Sequence, residues 1–163
     1  MLTALRTMML RDLEGLRREI ALYPDDYAPW RMLPGLPNSG GNLALHLAGN
    51  LRHFVGAQLG ETGYVRKREA EFGSGGLTRA ELDAEVQRAI ADVDRTLAAL
   101  DPARLDEPYP LAFGDRRLGT RVFLLHLAGH LTYHLGQIDY HRRAVTGDAA
   151  GAGVISLKDL PDA

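Results

Sequence analysis

Apolar residues recur at spacings of three and four along four stretches of the 163-residue chain, and this pattern constrains its fold most strongly. The stretches cover about residues 2–22, 41–59, 78–100 and 120–146. Such spacing places apolar side chains on one face of an α-helix, and that face must be buried against another element. The clearest apolar stripes are Leu2, Leu5, Met9, Leu13, Leu16 and Ile20 in the first helix, Leu82, Val86, Ala89, Val93, Leu97 and Leu100 in the third, and Leu124, Leu131, Leu135 and Ile138 in the fourth.

The predicted helices have recognisable start and stop residues. Pro24 ends the first helix, because proline cannot continue the hydrogen-bonding pattern of a helix. Either Asn38 or Ser39 can cap the second helix. Thr78, with Glu81 three residues later, predicts a capping box at the start of the third helix.

The connections between the helices are long. Residues 60–77 are predicted to be a glycine-rich link, and residues 102–119 a loop with weak strand character over 109–113. The tail, residues 148–163, is rich in small residues, and we expect it to be loosely ordered with one short turn at 156–160. The length suits one domain covering residues 1–163.

The sequence also repeats itself. Leu45–Gly49 and Leu125–Gly129 are identical pentapeptides on the second and fourth helices, 80 residues apart. Glycine within a helix costs about 1 kcal/mol relative to alanine, so Gly49 and Gly129 predict a close approach of these two helices. The repeat therefore predicts an all-α, antiparallel four-helix bundle built from two helix hairpins with pseudo-twofold symmetry. Chance recurrence between leucine-rich helices is the alternative.

The composition excludes several classes of function. The chain has no cysteine, which excludes disulfides, thiolate metal sites and a cysteine nucleophile. A formal net charge of −2 argues against nucleic-acid binding. The chain has no long apolar run and no layout typical of a signal peptide, so we expect a cytoplasmic protein with no membrane partner.

Three of the six histidines form a candidate metal site. His130 and His134 are four residues apart, so their side chains lie on one face of the fourth helix and can bind the same ion. His46 is the best third ligand, because its helix carries the matching pentapeptide. Three imidazoles would leave open coordination positions on the metal ion. Histidines that only pack or form hydrogen bonds are the alternative.

The other histidines are assigned by their helical positions. His126 is the rival ligand, since it also lies four residues from His130, but its helical angle places it farther from the buried face than His134. We therefore expect His126 either to support the ligands without touching the ion or to have a structural role. His53 is expected to line a cavity or the surface, and His141 to be exposed.

Polar residues near the histidines suggest roles in ligand or substrate positioning. Asn50 and Gln137 can orient a ligand or a substrate, with helix capping or solvent exposure as the alternative. No acidic residue lies between His130 and His134, which excludes the usual metalloprotease motif. Neither metal-bearing helix has the inward-facing glutamates of di-iron bundles.

The segment Asn42–Asn50, together with His126-x-x-x-His130-x-x-x-His134-Leu135-Gly136-Gln137-Ile138, resembles the DinB-like superfamily of metal-binding four-helix bundles. The resemblance implies that His46, His130 and His134 bind one zinc, nickel or iron ion. It also implies a homodimer, and either an enzyme acting with low-molecular-weight thiols or a protein without established activity. Leu131 stands where the family often has glutamate, which argues against a carboxylate-assisted mechanism.

Three functions follow as hypotheses. The first is a metal-dependent enzyme that transfers a small-molecule thiol to an electrophile or hydrolyses its substrate. The second is a non-catalytic metal-binding stress-response protein, in which the ion ties the two helix hairpins together. The third is a metal-free helical dimer.

Overall fold

The four predicted helices are present in a computed structural model of the protein, which describes residues 1–73, 75–156, 158 and 160. In chain order the α-helices are α1 (Leu2–Ala21), α2 (Gly40–Leu51), α3 (Gln58–Gly60), α4 (Arg68–Gly73), α5 (Arg79–Ala99) and α6 (Thr120–Thr146). A π-helical turn, Arg52–Ala57, joins α2 to α3. Short 3-10 turns cover Ala28–Trp30 and Pro102–Asp106.

The predicted helix starts are confirmed by side-chain hydrogen bonds. Ser39, one of the two candidate caps, accepts a bond from the Asn42 amide at 3.2 Å. At the start of α5 the Glu81 amide donates to the Thr78 hydroxyl at 3.2 Å, and the Thr78 amide donates to the Glu81 carboxylate at 2.8 Å. These bonds satisfy amide groups that have no partner inside the helix.

The long helices bury their apolar stripes in one common core. Both α1 and α2 pack against α5 and α6. Every residue of the predicted α5 and α6 stripes is buried, and so is every residue of the α1 stripe except Leu2, which is half-buried. The architecture is therefore mostly helical, as predicted. Among the described residues, no helix combines the length and apolar character needed to cross a lipid bilayer.

The weak strand signal before α6 is confirmed as a small antiparallel hairpin. Strand β1 (Pro108–Phe113) pairs with β2 (Arg116–Gly119). Tyr109 of β1 is fully buried, and its hydroxyl donates to the Phe54 carbonyl at 2.6 Å. The hairpin is thereby attached to the π-helical turn.

The link over residues 60–77 is more ordered than its glycine content predicts. It contains α4, which packs against α2. The sequence signal for α4 is weak because the helix has six residues and is flanked by glycine.

A buried ion pair fixes the start of the tail. Arg142 and Glu19 are both fully buried, and the Arg142 Nε donates to the Glu19 carboxylate at 2.7 Å. The same guanidinium donates to the carbonyls of Asp148, at 3.1 Å, and Ala150, at 2.5 Å. The predicted turn at 156–160 lies partly outside the described residues, because residues 157 and 159 are not among them.

The prediction that His141 is exposed is wrong. Its exposed fraction is 2%, and its Nε2 donates to the Arg31 carbonyl at 2.8 Å. The opposite nitrogen, Nδ1, therefore accepts from the Tyr23 hydroxyl at 2.7 Å. Burial lowers the pKa of His141, in keeping with a neutral ring in this place. The loop after α1 covers this face of α6, and helical spacing alone does not reveal such a cover.

The prediction that Gly49 and Gly129 mark a close helix approach is also wrong. Helices α2 and α6 are in contact, but a Cβ built on Gly49 would collide with the Glu71 carboxylate of α4. Gly129 is exposed, and beyond its own local backbone no described atom lies within 4 Å of a Cβ built there.

Candidate metal centre

Helices α2 and α6 bring three of the predicted histidines together. One ring nitrogen from each of His46, His130 and His134 lies within 4.8 Å of the other two. His46 Nε2 and His130 Nε2 are 3.2 Å apart. His46 is buried, and the two α6 histidines are half-buried. The spacing of four residues on α6 therefore places both rings opposite the single ring on α2.

The orientation of His46 is set by an acidic residue from the link. Its Nδ1 lies 3.0 Å from Glu71 Oε2 and 3.2 Å from Arg66 Nη2. The carboxylate is the nearer partner and only accepts, so we assign the proton to Nδ1. The lone pair of Nε2 is then free to bind a cation. Arg66 holds the same carboxylate with two bonds, from Nε to Oε1 at 2.6 Å and from Nη2 to Oε2 at 2.7 Å.

The Arg66 and His46 bonds also keep Glu71 ionised. Burial alone raises the pKa of this carboxyl, but the hydrogen bonds from Arg66 and His46 outweigh that cost, and the net pKa is lowered. An ionised carboxylate behind a ligating imidazole fixes the tautomer and makes the ring a better ligand.

The position of Glu71 depends on two features of α2. The Asn42 side chain donates from Nδ2 to the carbonyls of Glu71, at 3.1 Å, and Phe72, at 3.4 Å. One helical turn beyond His46, Gly49 leaves the space that the Glu71 carboxylate occupies. Glycine stands at this point of α2 because any larger side chain would displace the carboxylate.

The two α6 histidines are neutral at physiological pH. The pKa of His130 is lowered to about 4, chiefly by burial and in addition by the nearby His134 and His46. Burial also lowers the pKa of His134, whose Nδ1 lies 2.6 Å from the Gln137 amide oxygen. Since that oxygen only accepts, His134 also keeps its Nε2 lone pair free.

The donor set fits a divalent transition-metal ion. Two nitrogens bound to one such ion at about 2.0–2.1 Å stand roughly 3.3 Å apart, close to the 3.2 Å between His46 and His130. The same distance also suits an N–H···N hydrogen bond between the two rings, and a bound ion would take the place of that proton. Imidazole ligands suit zinc, nickel and iron alike.

A comparison with known protein families agrees with this site. The family model of the DinB superfamily matches residues 2–138, which include all three histidines. The chain belongs to the DinB superfamily. No curated protein and no solved structure shows significant similarity to it.

The histidine group of this DinB protein lies in an open pocket of about 540 Å³. Aromatic rings and two guanidinium groups form much of the pocket wall. The Phe72 ring lies 5.0 Å from the His46 ring, and the Arg68 guanidinium carbon lies 5.3 Å from the Phe72 ring. The lining residues are Asn38, Leu43, His46, Asn50, Phe54, Arg66, Arg68, Phe72, His130 and His134.

The three residues predicted to support the site, Asn50, Gln137 and His126, have different surroundings in the structure. Asn50 is 7% exposed and lines the pocket, and its Oδ1 has no hydrogen-bond partner among the described residues. Gln137 contacts His134. His126 is exposed, stacks 6.0 Å from the Phe123 ring and lies 6.1 Å from the His130 ring. His53 is half-buried, with an Nδ1 that lacks a partner in the described part of the chain.

Sequence reasoning missed the contribution of the link. Glu71, Arg66 and Phe72 lie in or beside α4, and none of them shows a motif spacing relative to His46. The departure at Leu131, which is fully buried in the core, therefore does not leave the site without a carboxylate, because Glu71 supplies one to His46. Gly49 was the available signal, since a glycine within a helix indicates that some other group comes close.

Proposed function

We propose that this protein binds one divalent metal ion through His46, His130 and His134. We propose further that it acts as a metal-dependent enzyme, a hydrolase or a transferase that uses low-molecular-weight thiols. One observation carries this proposal: three imidazoles meet in an open pocket, and in two of them the nearest partner of Nδ1 is an acceptor, which leaves Nε2 available to an ion.

The chemistry would divide between the ion and the chain. A divalent ion lowers the pKa of a bound water or thiol and so supplies a nucleophile near neutral pH without a protein cysteine. Glu71 keeps the proton on His46 Nδ1, and Gln137 does the same for His134. Phe54 and Phe72 give the pocket an apolar part of its wall. Asn50 lines the pocket, and a rotation of its side chain would offer the unpartnered Oδ1 to the substrate.

A non-catalytic metal-binding stress-response protein is the second candidate. The buried position of His46 between α2 and α6 favours it, because an ion there would join the two helices. The open pocket favours the enzyme, because a purely structural site is usually closed by a fourth protein ligand. A metal-free helical dimer remains the third candidate.

The helix arrangement and the oligomeric state are also part of what we propose. We propose that the four long helices form an antiparallel bundle of two helix hairpins, and that two such chains form a homodimer. Leu125, Tyr133 and Tyr140 are 53%, 65% and 76% exposed on α6, an apolar surface that a second chain would cover. A mass near 17.9 kDa by light scattering would contradict the dimer.

Metal titration tests the binding site. Protein purified without a histidine tag should bind zinc or nickel saturably, with one ion per chain, and acidification should release the ion because only neutral imidazole coordinates. The His134→Ala variant should lose this binding. The absence of saturable binding by the unsubstituted protein would overturn the proposal.

An activity assay distinguishes the proposed enzyme from a non-catalytic metal-binding protein. The metal-loaded protein should accelerate transfer of a small thiol to an electrophile or hydrolysis of a model ester, and His134→Ala should not. A protein that binds one ion tightly but gives no rate enhancement with a broad panel of thiols, electrophiles and esters would favour the stress-response role.

A further inference from the structure

The pocket over the three histidines carries an unbalanced positive charge. Two arginines line it, and no aspartate or glutamate is among its lining residues. A divalent ion held by three neutral imidazoles would add two more positive charges. The electrostatics of this pocket therefore favour a negatively charged occupant.

The two arginines are in different situations. Arg66 is neutralised locally, because both of its hydrogen bonds to Glu71 are shorter than 3 Å. Arg68 forms no ion pair with any described acidic side chain. Its guanidinium lies over the Phe72 ring, which restrains the arginine without neutralising its charge.

The Phe72 ring connects the surroundings of Arg68 with those of the histidines. The Phe72 ring is close to both groups, 5.3 Å from the Arg68 guanidinium carbon and 5.0 Å from the His46 ring. A small molecule that occupies the pocket can therefore reach the free guanidinium with one end and the histidine group with the other. A planar guanidinium binds a carboxylate through two parallel hydrogen bonds.

Asn50 provides an independent indication of a ligand. It is more than nine-tenths buried, and its Oδ1 has no hydrogen-bond partner among the described residues. A buried acceptor without a partner costs free energy. The Oδ1 is closed off in this conformation, and a small rotation of the side chain toward the pocket would let an N–H or O–H group of a bound molecule recover that free energy.

We infer that the pocket binds a small carboxylate, whose negative group is held by Arg68 and whose hydrogen-bond donor is accepted by Asn50. This inference rests on the proposed metal-binding function and specifies its substrate class. Arg68 is in this view a substrate-binding residue, whereas Arg66 positions Glu71.

The test uses the full chain loaded with cobalt, whose absorption changes when a thiol binds the ion. Mercaptoacetate and mercaptoethanol are similar in size, but only the first carries a carboxylate. Mercaptoacetate should bind the unsubstituted protein about tenfold more tightly. Arg68→Gln should remove most of this preference and leave mercaptoethanol binding unchanged, and Arg68→Lys should retain part of it.

Lys67→Gln is the matched control. It removes the same charge from the neighbouring residue, which is exposed and lines a different pocket, so the preference for mercaptoacetate should persist. Equal binding of the two thiols, or an unchanged preference in Arg68→Gln, would overturn the carboxylate assignment alone. Failure of the unsubstituted protein to bind cobalt would instead refute the metal site on which the inference rests.

Discussion

The two copies of the pentapeptide have the same sequence and different environments. In α2, His46 and Gly49 are buried, and in α6 the corresponding His126 and Gly129 are exposed. The middle leucines, Leu47 and Leu127, are both buried in the core. The shared sequence therefore specifies which face of each helix points inward, and it does not specify what covers the opposite face.

The difference comes from α4, which covers α2 and has no counterpart on α6 within the described residues. Through α4 the Glu71 carboxylate reaches His46 and fills the space beside Gly49. Only one histidine of the repeated pair is thus held in the orientation that a metal ligand requires. A repeat within a sequence can therefore mark a shared core position without marking a shared function.

The largest expected effect is on zinc affinity, when the histidine of one copy of the pentapeptide is replaced. His46→Ala should weaken zinc binding by more than about 100-fold, because it removes a ligand and not only a supporting contact. His126→Ala, the same change in the other copy, should retain most of the affinity. Zinc titration of both variants measures the difference, and loss of binding in His126→Ala would show that the wrong copy has been assigned.

A smaller effect on zinc affinity is expected when a residue of α4, the helix that covers α2, is replaced. Glu71→Gln should lower zinc affinity by roughly 10- to 100-fold, since the amide no longer presents a charged acceptor to His46 Nδ1. Glu69→Gln is the control, because Glu69 is exposed on the same short helix. Equal zinc affinities in the two variants would mean that Glu71 does not support the ligand.

The two glycines should respond to alanine in opposite directions. Gly49→Ala should destabilise the protein by about 1–3 kcal/mol, because the new methyl group displaces the Glu71 carboxylate. Gly129→Ala should stabilise it by up to about 1 kcal/mol, because that site is open and alanine favours helix. Urea unfolding gives both values. Destabilisation by Gly129→Ala would indicate that another chain packs against α6 there.

The smallest effect concerns pH. The lowered pKa of His130 means that the unfolded chain takes up a proton at higher pH than the folded one. Its contribution to the stability of the metal-free protein is therefore complete above about pH 6.5 and is lost as the pH falls toward about 4. Unfolding free energies across this range should show the loss. The slope should decrease in His130→Gln and persist in His126→Gln, where the replaced ring is exposed.

Much of this structure could be predicted from local patterns. The stripes of α1, α5 and α6, the Thr78 capping box and the hairpin strand all follow from spacing and capping chemistry. The grouping of His46 with His130 and His134 followed from the helix repeat and from the family resemblance. These features depend on residues close in sequence or on a pattern that the chain shows twice.

What could not be predicted depends on contacts between distant segments. His141 is buried because the loop after α1 lies over it, and Glu71 reaches His46 across 25 residues. Neither contact has a periodicity or a motif that would reveal it. Gly49 did signal a close neighbour, but a glycine does not identify which segment approaches it.

The short helix α4 makes ion binding at the candidate metal centre depend on the folding of a marginally stable segment. A six-residue helix is too short to persist without tertiary contacts, so the segment carrying Glu71 is ordered by its contacts with α2, through Asn42 and His46 among others. By thermodynamic reciprocity, a cation that strengthens the His46–Glu71 bond also strengthens the folding of this segment. Ion occupancy and backbone order over residues 60–73 would then rise and fall together, so that amide exchange in this stretch would report how much of the protein carries its ion.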